Sequence, residues 1–124
     1  MSEEKTIVIV EDEQDTAEMF AEMMRVSGYR VCQASGSQAA MRLIDKEQPA
    51  AVILDIMMPD ISGLEVLHFM QGRPKLARIP VVVVSAKSTQ KDIRATLEAG
   101  AVDYLAKPVG FQDLRQAVER ALKS

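Results

Sequence analysis

A chain of 124 residues, 48% hydrophobic and 27% charged, is one domain's worth of polypeptide with enough apolar mass to bury a core. That balance excludes a disordered or collagen-like chain. The longest strongly apolar runs, such as residues 79–84, fall far short of the ~18 residues a membrane helix needs, so no membrane partner is expected. The net charge is −3 and no basic stripe is visible, which argues against direct nucleic-acid binding. Cys32 is the only cysteine, so no internal disulfide points to an oxidising compartment. The start, Met1-Ser2-Glu3-Glu4-Lys5, has no basic flank before an apolar stretch, so a cytoplasmic location is the expectation.

Five apolar runs alternate with five helix-like stretches. The first run is Ile7-Val8-Ile9-Val10. A helix over 15–27 follows, with Ala17, Phe20, Ala21 and Met24 on one face and Gly28 at its C-terminal cap. The second run, 29–34, is weaker and more polar. A helix over 37–46 carries Ala40, Leu43 and Ile44 and stops before Pro49. The third run is Ala51-Val52-Ile53-Leu54, followed by a helix over 63–70 with Leu64, Leu67 and Phe69 or Met70. Residues 71–78 read as a long, basic surface loop. The fourth run is Val81-Val82-Val83-Val84, and the helix after it, 89–99, carries Ile93 and Leu97 and ends at Gly100. The fifth run, 102–106, leads to a helix over 111–122 with Leu114, Val118, Ala121 and Leu122. Runs one, three and four are continuous and mostly β-branched, as in strands covered on both faces; runs two and five suit sheet edges. The eight methionines are expected to fill gaps between helices and sheet.

This (βα)5 alternation implies an α/β fold with right-handed crossovers and a doubly wound, five-stranded parallel sheet. Such sheets bind ligands outside the carboxyl ends of their strands. Val10 is followed there by Glu11 and Asp12, Leu54 by Asp55, Val84 by Ser85, and Ala106 by Lys107. Three carboxylates in one crevice repel: two unit charges ~4 Å apart cost about 4 kcal/mol at an effective dielectric near 20. A hard divalent cation relieves that repulsion, and Mg²⁺ takes oxygen ligands and works beside phosphate groups. His68 is the only histidine, so no transition-metal cluster competes. Lys107 adds a second positive charge, and Ser85 offers a hydroxyl to a phosphoryl oxygen. Taken singly these residues have ordinary roles. Glu11 and Asp12 could stabilise a helix N-terminus, Asp55 could sit in a turn, and Ser85 could cap a helix. Glu13, Asp60, Asp103 and Lys87 are expected on solvated surface, and His68 on a helix flank.

Four segments in order carry a specific resemblance over nearly the full chain. They are Ile7–Glu13, then Val52-Ile53-Leu54-Asp55-Ile56-Met57-Met58-Pro59-Asp60-Ile61-Ser62-Gly63, then Pro80–Val84 with Ser85-Ala86-Lys87, and Gly100-Ala101-Val102-Asp103-Tyr104-Leu105-Ala106-Lys107-Pro108. Together they resemble the receiver domain of bacterial two-component response regulators, of the chemotaxis-regulator-like kind. The resemblance implies the flavodoxin-like strand order 2-1-3-4-5 that this family has. It implies one receiver domain over 1–124, with no output domain in this chain.

By the same resemblance, Asp55 is the phosphoacceptor. It would take a phosphoryl group from a phosphohistidine on a partner histidine kinase or phosphotransfer protein. Asp12 and Asp55 would bind Mg²⁺ directly with the backbone carbonyl of Met57, and Glu11 would act through a metal-bound water. Lys107 would pair with a phosphoryl oxygen, and the Lys107–Pro108 bond resembles the family's cis peptide. Ser85 and Tyr104 would form the switch that changes the surface of the fourth helix, fifth strand and fifth helix, roughly 89–122, for a downstream protein target. A phosphorylation-dependent homodimer is a further partner the family allows. Val102 and Val109 depart from the Asp and Phe usual in regulators that dimerise through this face, which weakens that case. The rival reading is an Mg²⁺-dependent phosphohydrolase with an aspartyl-phosphate intermediate. Such hydrolases want a second Asp two residues after the nucleophile, where this chain has Met57, so a non-enzymatic switch is preferred. A flavodoxin-like cofactor binder is disfavoured because Glu11-Asp12-Glu13 would repel a flavin phosphate.

Overall fold

A computed structural model of the chain describes residues 4–56, 63–86 and 89–123. Eleven elements follow one another among them: β1 (Thr6–Val10), α1 (Gln14–Val26), β2 (Arg30–Ala34), α2 (Ser37–Glu47), β3 (Ala51–Asp55), α3 (Gly63–Gln71), α4 (Pro74–Ala77), β4 (Val81–Ser85), α5 (Gln90–Glu98), β5 (Asp103–Ala106) and α6 (Phe111–Lys123). The five strands form one parallel sheet in the order β2-β1-β3-β4-β5. The three β-branched runs are its interior strands, and the two more polar runs are its edges. No helix among the described residues is long and apolar enough to cross a membrane.

The two faces of the sheet bury alternate residues of each strand. Ile7, Ile9 and Ile53 pack with Phe20, Ala21 and Met24 of α1 and with Leu114 and Val118 of α6. Val8, Val10, Val52, Leu54, Val81 and Val83 pack on the other face with Ala40 and Ile44 of α2, Val66, Leu67 and Met70 of α3, and Leu76 of α4. Each large side chain buried this fully contributes about 1.5–3 kcal/mol. Helix α1 starts from Glu13, whose carboxylate accepts from the Thr16 amide at 2.7 Å, so Glu13 is an N-cap as well as a solvated residue. It ends before Gly28, at φ +96°, as the cap position predicts. Met24 and Met70 fill the core, but Met19 stands 45% exposed on α1.

Two expectations need correction. Residues 71–78 are not simply a loop: α3 runs on to Gln71, and Pro74–Ala77 forms the short helix α4. Pro74 supplies the fixed φ of a first helical turn, and Leu76, 1% exposed, pins that turn to the core between the exposed Arg73 and Lys75. In α5 the Ile93/Leu97 stripe is not the buried face. Leu97 is 42% exposed, while Thr96 is buried with its hydroxyl donating to the Asp92 carbonyl at 2.8 Å. A threonine whose hydroxyl is satisfied within its own helix packs as a small apolar residue.

Candidate phosphoacceptor and metal site

The parallel register brings the strand ends together. Val10 pairs with Ala34 on one side and Leu54 on the other, Asp55 pairs with Val84, and Ser85 pairs with Ala106. The Glu11 amide prolongs β1 by donating to the Ala34 carbonyl at 3.1 Å, and the Lys107 amide prolongs β5 by donating to the Ser85 carbonyl at 2.9 Å. Glu11, Asp55, Ser85 and Lys107 therefore stand at one edge of the sheet because each immediately follows or ends an apolar strand.

At that edge the Lys107 ammonium bridges two acids. Its Nζ lies 2.8 Å from Glu11 Oε1 and 3.2 Å from Asp55 Oδ2. The second Glu11 oxygen accepts from the Glu13 amide at 3.2 Å. Oxygens of Glu11, Asp12 and Asp55 all lie within 4.8 Å of one another. Glu11 and Asp55 are each only 3% exposed, Ser85 is fully buried, and Asp12 lies on the solvent side of the pair. A cleft of about 290 Å³ opens beside the acids, lined by Glu11, Asp12, Gln14, Gln33 and Ser35 among others. The Lys107–Pro108 peptide is cis. Tyr104 is half-buried on β5 and packs against the core on the α2–α3 face.

The structure thus gathers Glu11, Asp12, Asp55 and Lys107 and places Ser85 on the next strand end. Met57 lies outside the described residues, as do Asp60 and Lys87. His68 is exposed on α3. Asp103 is not simply solvated: it pairs with Arg120 of α6 at 2.8 Å and accepts from the Tyr104 amide at 2.9 Å. Val102 beside it is 49% exposed, whereas Val109 is buried under α1 and α6. Sequence reasoning missed Gln14 and Gln33, which line the cleft; neutral amides carry no charge signal. It also missed the Glu13 amide, a backbone group that any residue would supply.

The electrostatics follow from burial. Desolvation raises the Glu11 pKa above its usual 4.5; the hydrogen bond from Lys107 opposes that rise without cancelling it, and the Asp55 charge adds to it. Burial pushes the Lys107 ammonium down, but the Glu11 hydrogen bond and the Asp55 and Glu11 charges outweigh it, and the net shift is upward. An acid whose pKa is raised by folding loses stability as pH climbs through 4.5 and into the window above it, because the ionised form is the disfavoured one. Glu11→Gln is therefore expected to gain stability relative to the parent over that climb. Urea unfolding in EDTA at a series of pH values measures the difference; a difference independent of pH would contradict the assignment.

The donor set suits a hard cation. Three carboxylates offer only oxygen, and no histidine or cysteine stands among them. Asp12 and Asp55, with Glu11 beside them, would hold such an ion through carboxylate oxygens. Lys107 adds a positive charge against Glu11 and Asp55.

Comparison with known proteins shows the family and the fold. Residues 7–119 match the family model described as the response regulator receiver domain. The chain is 35% identical over 117 residues to the KDP operon transcriptional regulatory protein KdpE of Escherichia coli K12, covering 94% of this chain and 51% of that one. The chain spans about half the length of the curated relatives it matches first. It superposes on the signal receiver domain of a signal transduction histidine kinase from Syntrophus aciditrophicus with a TM-score of 0.87 and 30% identity, covering 96% of this chain and 90% of that one. With the receiver domain of sensor histidine kinase PA1611 from Pseudomonas aeruginosa PAO1 the TM-score is 0.90 at 27% identity, covering 98% and 100%. That structure holds a magnesium ion coordinated in its active-site cleft.

Proposed function

Because this chain belongs to the response regulator receiver domain family, a family of signalling proteins, we propose that it accepts a phosphoryl group on Asp55 from a partner's phosphohistidine in an Mg²⁺-dependent reaction. The observation that carries the reading is the Lys107 ammonium held between Glu11 and Asp55. It is the arrangement a site needs if it must hold clustered acids now and receive a phosphoryl group later.

One Asp55 carboxylate oxygen attacks phosphorus, the phosphorus–nitrogen bond breaks, and the imidazole leaves with the electron pair. The product is an acyl phosphate. Asp12 and Asp55, with the Met57 carbonyl, would hold Mg²⁺, and Glu11 would hold one of its waters. A bound Mg²⁺ would supply positive charge to offset the repulsion as two anions meet. Lys107 is tethered at the end of β5, so its ammonium can exchange a carboxylate oxygen for a phosphoryl oxygen with little chain movement. Ser85, at the end of β4, is one strand from Asp55 and would donate its hydroxyl to the phosphoryl group. Tyr104, half-buried on the neighbouring strand, would then turn inward and alter the surface of α5, β5 and α6 for a downstream protein. Incubation with acetyl phosphate tests the reading: one phosphoryl mass is expected with Mg²⁺ and none in EDTA. Equal labelling in EDTA would overturn the metal's part.

The donor would be a histidine kinase or a histidine phosphotransfer protein, and the molecule has a surface that suits it. Met19 and Val26, 45% and 68% exposed, form a shallow apolar patch with Met23 and Phe111, and Glu22 lies beside them. Its walls are α1, which starts three residues after Glu11, and the first turn of α6, which starts four residues after Lys107. Met19, on the second turn of α1, and Phe111, which opens α6, lie at the end of this patch nearer the acids, and a helical partner seated over them would sit beside the acceptor. Met19→Asp is expected to slow transfer from a cognate kinase about tenfold or more, equivalent to ~1.4 kcal/mol of docking energy. Labelling by acetyl phosphate, which needs no docking, should stay within about twofold of the parent. Unchanged transfer from the kinase would remove this patch from the docking surface.

A further inference from the structure

Gly63, the first residue of α3, is buried, and its amide donates to the Ile56 carbonyl at 3.1 Å. A Cβ built on Gly63 would lie 2.4 Å from the Ile56 Cα and 2.8 Å from the Asp55 carbonyl oxygen. Both neighbours are backbone, so neither can swing aside as a long side chain would. Gly63 stands in the first turn of a right-handed helix, and what surrounds it is backbone. The demand is close approach. Gly100 makes the contrast: a Cβ there would meet the Gln71 side chain at 2.5 Å, far from the acids, and its φ is +119°.

We propose that Gly63 is a positioning residue for the acceptor: the absence of a side chain lets the start of α3 seat against the Asp55–Ile56 backbone, and this contact fixes the Asp55 carboxylate relative to Glu11, Asp12 and Lys107. The proposal rests on the reading of Asp55 as the phosphoacceptor. The contact lies one peptide from the group that must meet both an ion and a phosphorus atom. Side-chain aim inherits any shift of that peptide directly, and an ångström of misplacement can cost about a hundredfold in rate.

The test compares Gly63→Ala, Gly100→Ala and the parent, each as the full chain. Mg²⁺ affinity, acetyl phosphate labelling rate at saturating Mg²⁺, and thermal unfolding are measured for each. Sucrose is included to keep the variants folded. The expected result is that Gly63→Ala binds Mg²⁺ and labels about tenfold or more worse than the parent, per folded molecule. Gly100→Ala, although destabilised by its strained φ, should match the parent in both. A folded Gly63→Ala that binds and labels like the parent would overturn the proposal. So would a Gly63→Ala that fails to fold even in sucrose, which would make Gly63 a folding residue. Failure of the parent itself to label would instead sink the phosphoacceptor reading, and the two failures are therefore distinct.

Discussion

Asp55→Asn is expected to take up no phosphoryl group from acetyl phosphate or from a kinase, with intact-mass spectrometry as the readout. The amide has nearly the size of the carboxylate, so the end of β3 keeps its pairing with Val84. What it lacks is the anionic oxygen that attacks phosphorus. The variant should also fold. Asp55 is a buried acid beside another buried acid, Glu11, and neutralising one of them removes repulsion while leaving Lys107 its closer partner at 2.8 Å. Loss of label with an unchanged melting transition therefore reports chemistry and not unfolding. A variant that still gains one phosphoryl mass would place the acceptor elsewhere.

The second large effect belongs to Asp12. Residues that merely support a metal ligand cost about 10–100-fold in affinity when removed, and a direct ligand should cost at least that much. Asp12→Ala is expected to weaken Mg²⁺ binding by that margin in a calorimetric or nuclear magnetic resonance titration. Asp12 lies on the solvent side of Glu11 and Asp55, so its truncation leaves no cavity in the core. An unchanged titration would remove Asp12 from the metal shell.

The site was legible in the sequence for a physical reason. A parallel sheet sends every strand end to the same edge, so Glu11, Asp55, Ser85 and Lys107 could be placed together from apolar runs alone. The edge strands were legible because 29–34 and 102–106 break the β-branched pattern. What the runs do not encode is how the charges distribute themselves. That Lys107 spans Glu11 and Asp55, and that the Glu13 amide takes the remaining Glu11 oxygen, depend on side-chain reach and on a helix cap. The buried face of α5 was hidden for a different reason. Thr96 counts as polar in any hydrophobic pattern, and only its bond to the Asp92 carbonyl makes it a core residue. Leu76 was overlooked because one leucine among Arg73, Lys75 and Arg78 gives no periodicity to read. The closeness of Gly63 to Ile56 is likewise invisible along the chain, since a contact across seven residues needs the turn itself to be known.

The most direct test of the central claim is to locate the ion. Crystals grown with Mn²⁺ in place of Mg²⁺ should give an anomalous peak among the carboxylates of Asp12 and Asp55, near Glu11, with the Lys107 ammonium drawn off the acid pair. A peak elsewhere on the molecule, or none at a concentration that supports labelling of Asp55, would contradict it.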